Sequence, residues 1–156
     1  MLRTILTYPD PFLSLKAARV PKMDDDVRKL IDDMFETMYT AKGVGLAAPQ
    51  VGDGRRVIVV DVSPVEKEVP PMALVNPEIV SRRGMVDATE GCLSIPGVEG
   101  VVSRPEFVTV KGLNELGDPV NFEAGGLLAR ALQHEIDHLD GVLFIDRLST
   151  TAVPTK

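Results

Sequence analysis

Residues 125–139 read GGLLARALQHEIDHL, and this stretch decides the fold because it carries both histidines of the chain on one predicted helix. His134 and His138 are four residues apart, so on a helix the two imidazoles lie on one face and can reach a single metal ion. Gly141 follows as a suitable end for the helix. The apolar residues that keep the helical period are Leu128, Ala131, Leu132 and Ile136.

Glu135 lies next to the first histidine in the pentapeptide HEIDH. At that position a carboxylate can contact water at a metal ion without binding the ion, which suits it to general acid/base catalysis. The pattern is short, and a chance pairing of histidine and glutamate on a helix surface is the alternative. Because the chain places both of its histidines in this pattern, the sequence predicts a metal-dependent hydrolase with Glu135 as the proton carrier.

A catalytic metal needs a third protein ligand, and the segment after the helix offers no obvious one. One class of zinc proteases continues to a third histidine, but Phe144 occupies that position here, and Asp140 and Asp146 are poorly placed relative to the helix face. Cys92, in TEGCLSIPG, is the remaining strong soft ligand, with a buried structural cysteine as the alternative. A Cys/His/His set leaves one tetrahedral position open for water. Such a set suits Fe(II), Zn(II), Co(II) or Ni(II) rather than Mg(II) or Ca(II).

The segment GVGLAAPQ (43–50) joins the predicted first helix to the first strand. Its small residues let a peptide backbone approach closely. Gln50 can donate its side-chain amide to a developing oxyanion. A tight turn with a satisfied polar cap is the alternative, and this segment alone does not distinguish the two.

The rest of the chain predicts a second helix and several short strands. Between residues 24 and 42 apolar side chains recur with a helical period, with aspartates at the start and Gly43 at the end. Strand-like segments then follow, closely punctuated by Gly and Pro, which favours antiparallel connections: RRVIVVDV, MALVNPEIV, GVVSR, FVTVKGL and PVNFEA. We therefore expect an α+β fold of mostly antiparallel strands around a central metal-binding helix, with one N-terminal helix, as a single catalytic domain over residues 1–156.

Composition and charge argue against several classes of protein. Hydrophobic residues make up 44% and charged residues 26% of the chain, which is typical of a globular domain. The net charge of −6 argues against stable binding of nucleic acid, and no apolar run is long enough to cross a membrane. The N-terminus lacks the features of a signal peptide, and a single cysteine allows no internal disulfide. We expect a cytoplasmic protein.

Three segments occur together and in order: GVGLAAPQ (43–50), EGCLS (90–94) and QHEIDH (133–138). With RVIVVDV, LVNPEI and GVLFIDRLS, they resemble the signature motifs of peptide deformylases over nearly the whole chain, from TYPDP to DRLS. The resemblance implies an enzyme that removes the N-formyl group from the initiator methionine of newly synthesised polypeptides and releases formate.

The resemblance also implies roles for individual residues. Glu135 is the general base and then the acid, and the side-chain amide of Gln50 and the backbone N–H of Leu93 form the oxyanion hole. One divalent metal per chain, Fe(II) in native bacterial enzymes with Zn(II), Ni(II) or Co(II) as substitutes, is held by Cys92, His134 and His138. The residues expected to bind the formyl-methionyl peptide are Gly43, Val44, Gly45, Leu46, Leu127 and Ala131.

Further residues support or modify the resemblance. Glu90 and Arg104 are expected to form an ion pair that orients EGCLS, with two unrelated surface charges as the alternative, and Gln133 is expected to brace the metal site. Many members carry an arginine near the position of Glu99 that faces the peptide, and here the charge is reversed, so an altered substrate affinity or sequence preference is expected. The chain stops at Lys156, before the C-terminal helix of many bacterial members, so we do not expect ribosome docking through such a helix.

Three other functions fit parts of the pattern. A metallopeptidase built on HExxH would need another His, Glu or Asp as third ligand and would not need Cys92. A catalytically inactive module that binds peptide N-termini would need neither Glu135 nor Gln50, and both are present. A cysteine hydrolase would use Cys92 as its nucleophile and would resist chelators.

Overall fold

The computed structural model describes residues 1–149 and 153–154, and these residues form the expected α+β architecture. The described part of the chain contains the helices α1 (Asp25–Thr40) and α2 (Gly126–Leu139) and short 3-10 helices at Pro11–Ser14, Ala48–Val51 and Phe144–Arg147. The strands are β1 (Gly45–Ala47), β2 (Val57–Val60), β3 (Met72–Arg83), β4 (Val86–Cys92), β5 (Ile95–Arg104), β6 (Phe107–Leu113), β7 (Pro119–Ala124) and β8 (Val153–Pro154). Within these residues, none of the helices combines the length and apolar character that crossing a membrane requires.

The strands form two antiparallel sheets. One sheet has five strands in the order β1-β2-β3-β6-β7, and the other has three in the order β4-β5-β8. Helix α1 contacts β1 and β2, whereas α2 contacts β1, β2, β3 and β6. Because α2 lies across the larger sheet, the predicted arrangement of antiparallel strands around a central helix is confirmed.

Hydrophobic packing divides the described residues into three clusters. The first joins α2 to the five-stranded sheet through residues such as Leu132. The second packs α1 on β1, β2 and β3, with Met34 and Met38 fully buried, so the methionines of α1 are core residues. The third cluster involves β5, the N-terminal arm and the segment after α2, and its buried members are Leu13, Ile95, Val102, Leu143 and Phe144. Helix α2 contributes no residue to this third cluster.

Helix α1 begins as predicted but ends differently. The Asp24 carboxylate accepts a hydrogen bond from the Val27 N–H at 2.9 Å, which satisfies a free donor at the start of the helix. At the end, Lys42 and not Gly43 takes the left-handed conformation, with φ of 61°. The prediction that Gly43 is the stop residue is wrong in this detail. The glycine serves close packing instead, because a Cβ at Gly43 would lie 2.7 Å from Cδ1 of Leu93.

Both ends of α2 are fixed by side chains from elsewhere in the chain. Gly141 has φ of 74° and ends the helix as predicted. Near that end the Arg56 guanidinium donates to the Leu139 carbonyl at 3.0 Å, where a positive charge favours the helix dipole. At the start, the Glu66 carboxylate accepts from the backbone N–H groups of Leu127 at 2.9 Å and Leu128 at 3.3 Å.

Removal of the Glu66 carboxylate is expected to destabilise the protein. Glu66→Ala leaves two N–H groups at the start of α2 without their acceptor and removes a negative charge from the positive end of the helix dipole. We expect the free energy of unfolding to fall by about 1 kcal/mol in urea titrations. Glu68→Ala, at an exposed position in the same loop, is the matched control, and an equal loss in both variants would contradict the capping role.

Candidate active site

Cys92, His134 and His138 come together at one point of the fold. Their candidate ligand atoms all lie within 4.8 Å of one another, and among the described residues they form the group of metal-ligating side chains that the sequence predicted. Sγ of Cys92 lies 3.3 Å from Nε2 of His138. A thiolate and two imidazoles at this spacing fit one divalent ion.

Cys92 is presented by the tight connection between β4 and β5. The pairing of the two strands is irregular between Glu90 and Cys92, and Cys92 pairs with Ile95, so Leu93 and Ser94 form a two-residue loop. The Ser94 N–H lies 3.4 Å from the sulfur of Cys92. The loop thereby directs the thiol towards α2 and leaves Leu93 at the edge of the adjoining pocket.

Glu90 is the centre of a buried ionic network next to the ligands. Its carboxylate accepts from Nε of Arg104 at 2.6 Å, from Arg130 at 2.5 Å, and contacts Nδ1 of His134 at 2.9 Å. The predicted ion pair of Glu90 with Arg104 is therefore confirmed, and it is a buried pair and not two surface charges. Because Nδ1 of His134 faces a carboxylate, Nε2 is the nitrogen that faces Cys92 and His138.

The electrostatics of this cluster favour a cation. Although burial opposes ionisation, bonds from His134 and Arg104 lower the pKa of Glu90 to about 2. Burial likewise opposes a charged His134, but the negative groups around it, Glu135 foremost and then Cys92 and Glu90, raise its pKa to about 10. Burial, followed by the positive potential of His134 and Arg104, lowers the pKa of His138 well below its ordinary value. His138 is thus neutral, and its lone pair is available to a metal.

Glu135 points into the same site and is 5% exposed. Burial raises its pKa to about 7. Its Oε1 has no hydrogen-bond partner within the described residues, and neither does Nδ1 of His138. A buried carboxylate oxygen without a protein partner is costly unless it serves a ligand or a reaction. This observation and the ligand spacing both fit a site built around a metal and a water molecule.

Gln50 is held at the opposite side of the site. Its Oε1 accepts from the Ala47 N–H at 2.9 Å, and its Nε2 donates to Oγ of Ser94 at 3.1 Å. The same Nε2 lies 3.6 Å from Sγ of Cys92. The bond of the side-chain oxygen to the backbone orients the amide so that its N–H groups face the cysteine loop.

A pocket of about 410 Å³ opens beside these residues. Most of the predicted substrate residues line it, and those are Gly43, Val44, Gly45, Leu127 and Ala131. The predicted metal and catalytic residues that line it are Gln50, Cys92, Leu93, His134 and Glu135. His138 is not among the lining residues, because it lies deeper, 1% exposed, behind Cys92 and His134.

Strand β1 has one edge that no other strand of the described residues pairs with. Within those residues β1 pairs with β2, with Gly45 opposite Val60. The Val44 carbonyl accepts from the Asp61 N–H at 2.8 Å, so the alternation of an antiparallel pair turns the N–H and C=O of Gly45 away from β2. These two groups therefore face the pocket, where an extended peptide can pair with them.

Two expectations from the sequence are not met. Leu46 is fully buried in the cluster around α1, because neighbouring side chains of a strand point to opposite faces and its backbone bonds turn to β2. It does not line the pocket. Gln133 donates to the carbonyls of Pro105 and Ala129, both at 3.0 Å. It braces the backbone next to the site and contacts no metal ligand.

A family model described as Polypeptide deformylase matches residues 2–153. This chain belongs to the peptide deformylase family. A peptide deformylase of Thermodesulfovibrio yellowstonii is 54% identical over 145 residues, covering 93% of this chain and 88% of that relative.

Solved deformylase structures show the same fold. A peptide deformylase from Legionella pneumophila superposes with a TM-score of 0.90 and 50% identity, over 96% of this chain and 87% of that one. A peptide deformylase from Synechococcus elongatus in complex with actinonin gives a TM-score of 0.89 and 46% identity, over 95% and 79% of the two chains. The predicted family, fold class and enzyme class are thereby confirmed. Peptide deformylases are metal-dependent hydrolases that act on N-formyl-methionine peptides.

The competing functions lose their support. A metallopeptidase would need another His, Glu or Asp as third ligand. Of the two aspartates after α2, Asp140 pairs with Arg56 at 2.8 Å and Asp146 accepts from the Leu143 N–H at 3.0 Å. An inactive binding module and a cysteine hydrolase are likewise not supported, because the chain matches deformylases over nearly its whole length.

Three residues of the site were not foreseen. Ser94 orients Gln50, and Arg130 and Asp137 join the network of Glu90 and Arg104. Arg130 and Asp137 lie four residues before His134 and one before His138, on the face of α2 that carries the ligands. Their position on the ligand-bearing face of α2 was the sequence feature that could have predicted their place in the site.

Proposed function

We propose that this deformylase releases formate from the N-terminal methionine of nascent polypeptides in the cytoplasm, as a single catalytic domain over residues 1–156. The observation that carries the proposal is the meeting of three ligand atoms within 4.8 Å beside a buried Glu135 oxygen that lacks a partner.

Cys92, His134 and His138 would hold the metal. A divalent ion bound there supplies Lewis acidity that lowers the pKa of water towards neutrality. We propose Fe(II) as the native ion and Zn(II), Ni(II) or Co(II) as functional substitutes, since thiolate and imidazole ligands suit all four. The bond between His134 and the Glu90 carboxylate supports this role, because it fixes the imidazole with its other nitrogen towards the site.

The peptide substrate would bind as an extended chain along β1. The N–H and C=O of Gly45 point into the pocket and offer two backbone hydrogen bonds. Val44 and Leu93 flank this edge on the two sides of the pocket. Pairing of this kind depends on the peptide backbone and not on its side chains, which suits an enzyme that acts on many different nascent chains.

Glu135 would move the proton during hydrolysis. Water attacks the formyl carbon and gives its proton to the Glu135 carboxylate, and the same side chain then delivers a proton to the leaving amine. A pKa of about 7 suits both steps, because the group can accept and donate near neutral pH.

Gln50 and Leu93 would stabilise the oxyanion that forms on the formyl oxygen. Nε2 of Gln50 is 3.6 Å from Sγ of Cys92, a weak acceptor that an anionic oxygen can replace. The backbone N–H of Leu93 lies in the loop immediately after Cys92. Two donors fixed in place before the reaction starts stabilise developing charge at little reorganisation cost.

Leu127 and Ala131 would line the pocket for the methionine side chain. Both residues lie on successive turns of α2 at the pocket wall. Leu127→Trp is expected to fill this space and to raise KM for formyl-Met peptides about tenfold, the scale of one or two lost methylene contacts. A variant with unchanged KM would remove Leu127 from the pocket. Leu116→Trp, at an exposed position outside it, is the matched control.

Formate release from formyl-Met-Ala-Ser by nickel-loaded or anaerobically purified protein tests the proposal as a whole. Chelation should abolish turnover, and added Ni(II) or Co(II) should restore it. Absence of formate from a fully loaded protein would contradict the proposed function. Full activity of a metal-loaded Cys92→Ala variant would contradict the proposed ligand set.

A further inference from the structure

The metal site lies between two parts of the fold that do not share a hydrophobic cluster. His134 and His138 belong to α2, whose apolar face packs on the five-stranded sheet. Cys92 belongs to the β4–β5 hairpin, whose apolar residues pack with the N-terminal arm and the segment after α2. No residue of α2 belongs to that cluster within the described part of the chain. His134 stacks on Phe144 of that cluster, with 6.2 Å between the ring centroids, but Phe144 lies in the segment after α2 and not in the hairpin. A further interaction must therefore join the hairpin itself to α2.

Charged side chains of α2 supply that interaction. Arg130 donates to the Val86 carbonyl at 2.8 Å, the Val102 carbonyl at 3.0 Å and the Glu90 carboxylate at 2.5 Å. One guanidinium therefore bonds to both strands of the hairpin. Its side chain is 11% exposed; the bonds to Glu90 and Val102 are partly buried, and the bond to Val86 is exposed.

A second polar contact between α2 and the hairpin lies two turns further along the same helix. The Asp137 carboxylate accepts from Arg104 of β5 at 2.9 Å and from Arg147 at 2.6 Å. Arg104 also binds Glu90, so the contacts made by Arg130 and by Asp137 belong to one connected network. With helical spacing, Arg130, His134, Asp137 and His138 share one face of α2, and this face is turned to the hairpin.

We propose that Arg130 and Asp137 are positioning residues that clamp the cysteine-bearing hairpin onto the histidine-bearing helix. Their bonds, and not apolar packing, set the geometry of the three metal ligands. This inference rests on the proposed metal site. It adds that a residue that is not itself a metal ligand controls metal affinity.

The test is Co(II) binding to Arg130→Met. The dissociation constant is measured by competition with a chelator, together with the visible absorption that reports cobalt–thiolate coordination. We expect the constant to rise about tenfold or more and the thiolate band to weaken, at a temperature where circular dichroism shows the variant fully folded. A merely structural role would lower Tm and leave both cobalt readouts unchanged. Asp137→Asn gives the same test if Arg130→Met does not fold.

The matched control is Arg83→Met. Arg83 is exposed, pairs with Glu123 at 3.2 Å and lies on β3, away from the ligands. It should bind Co(II) like the parent protein. Parent-like affinity and absorption in folded Arg130→Met would overturn the clamp alone. A parent protein that binds no Co(II) through Cys92 would overturn the proposed metal site, and the clamp with it.

Discussion

Replacement of Glu135 by glutamine is expected to lower kcat about 10³-fold, within the range for loss of a general acid/base. Glutamine keeps the size of the side chain but cannot take a proton from water or return one to the leaving amine. The Glu135 carboxylate is buried with one oxygen lacking a described partner, whereas the nearby Glu90 carboxylate is engaged by Arg104, Arg130 and His134. The measurement is steady-state formate release by equally metal-loaded proteins.

Metal content decides how the Glu135→Gln result is interpreted. Cys92, His134 and His138 are unchanged in this variant, so one metal per chain should remain. Glu115→Gln, at an exposed position far from the pocket, is the matched control and should behave like the parent. Near-parental kcat in fully loaded Glu135→Gln would assign the proton transfer to another group.

Gly45→Ala is the second variant for which we expect a large loss. A Cβ at this position would lie 2.5 Å from Oε2 of Glu135 and 3.0 Å from its Cγ. The backbone of Gly45 is held by pairing of β1 with β2, so the glutamate must move. A displacement of about 1 Å at a catalytic group costs about 10²-fold in rate. We expect kcat to fall by that amount with little change in Tm.

A double substitution tests whether the effect acts through Glu135. In the Glu135→Gln background, Gly45→Ala should cost far less than 10²-fold, because the group it displaces no longer transfers a proton. Equal losses in both backgrounds would show that the methyl group blocks substrate and does not misplace the carboxylate. Gly54→Ala is the matched control, since a Cβ there meets only an ordinary contact at 3.9 Å.

The helices and several strands could be predicted because their residues carry a clear period. The segments FVTVKGL and PVNFEA match β6 and β7 residue for residue, since apolar alternation is bounded by Gly and Pro. Strand β4 was not predicted, because VDATEGC is polar and mostly exposed. Its strand conformation comes from pairing with β5, which is a tertiary interaction.

The candidate site, like the fold, could be predicted only where single residues carry a clear signal. Residue types with strong metal preference identified Cys92 and both histidines, and a family resemblance aligned Gln50 and Glu135 with them. The burial of Leu46 away from the pocket could not be predicted, because sequence proximity to Gly45 does not reveal which way each side chain of a strand points. Arg130 escaped notice because a charged residue on a helix ordinarily faces solvent. Only the hairpin that folds onto α2 covers most of its side chain.

The free edge of β1 also sets a condition on when substrates can react. This edge is only three residues long, and it lies recessed between α2 and the cysteine loop. Such a slot can accept a single extended chain, whereas a methionine already packed in a helix or sheet cannot reach Gly45. Under the proposed binding mode, deformylation therefore competes in time with folding of the substrate. A nascent chain can bind to the enzyme only until its first residues have folded.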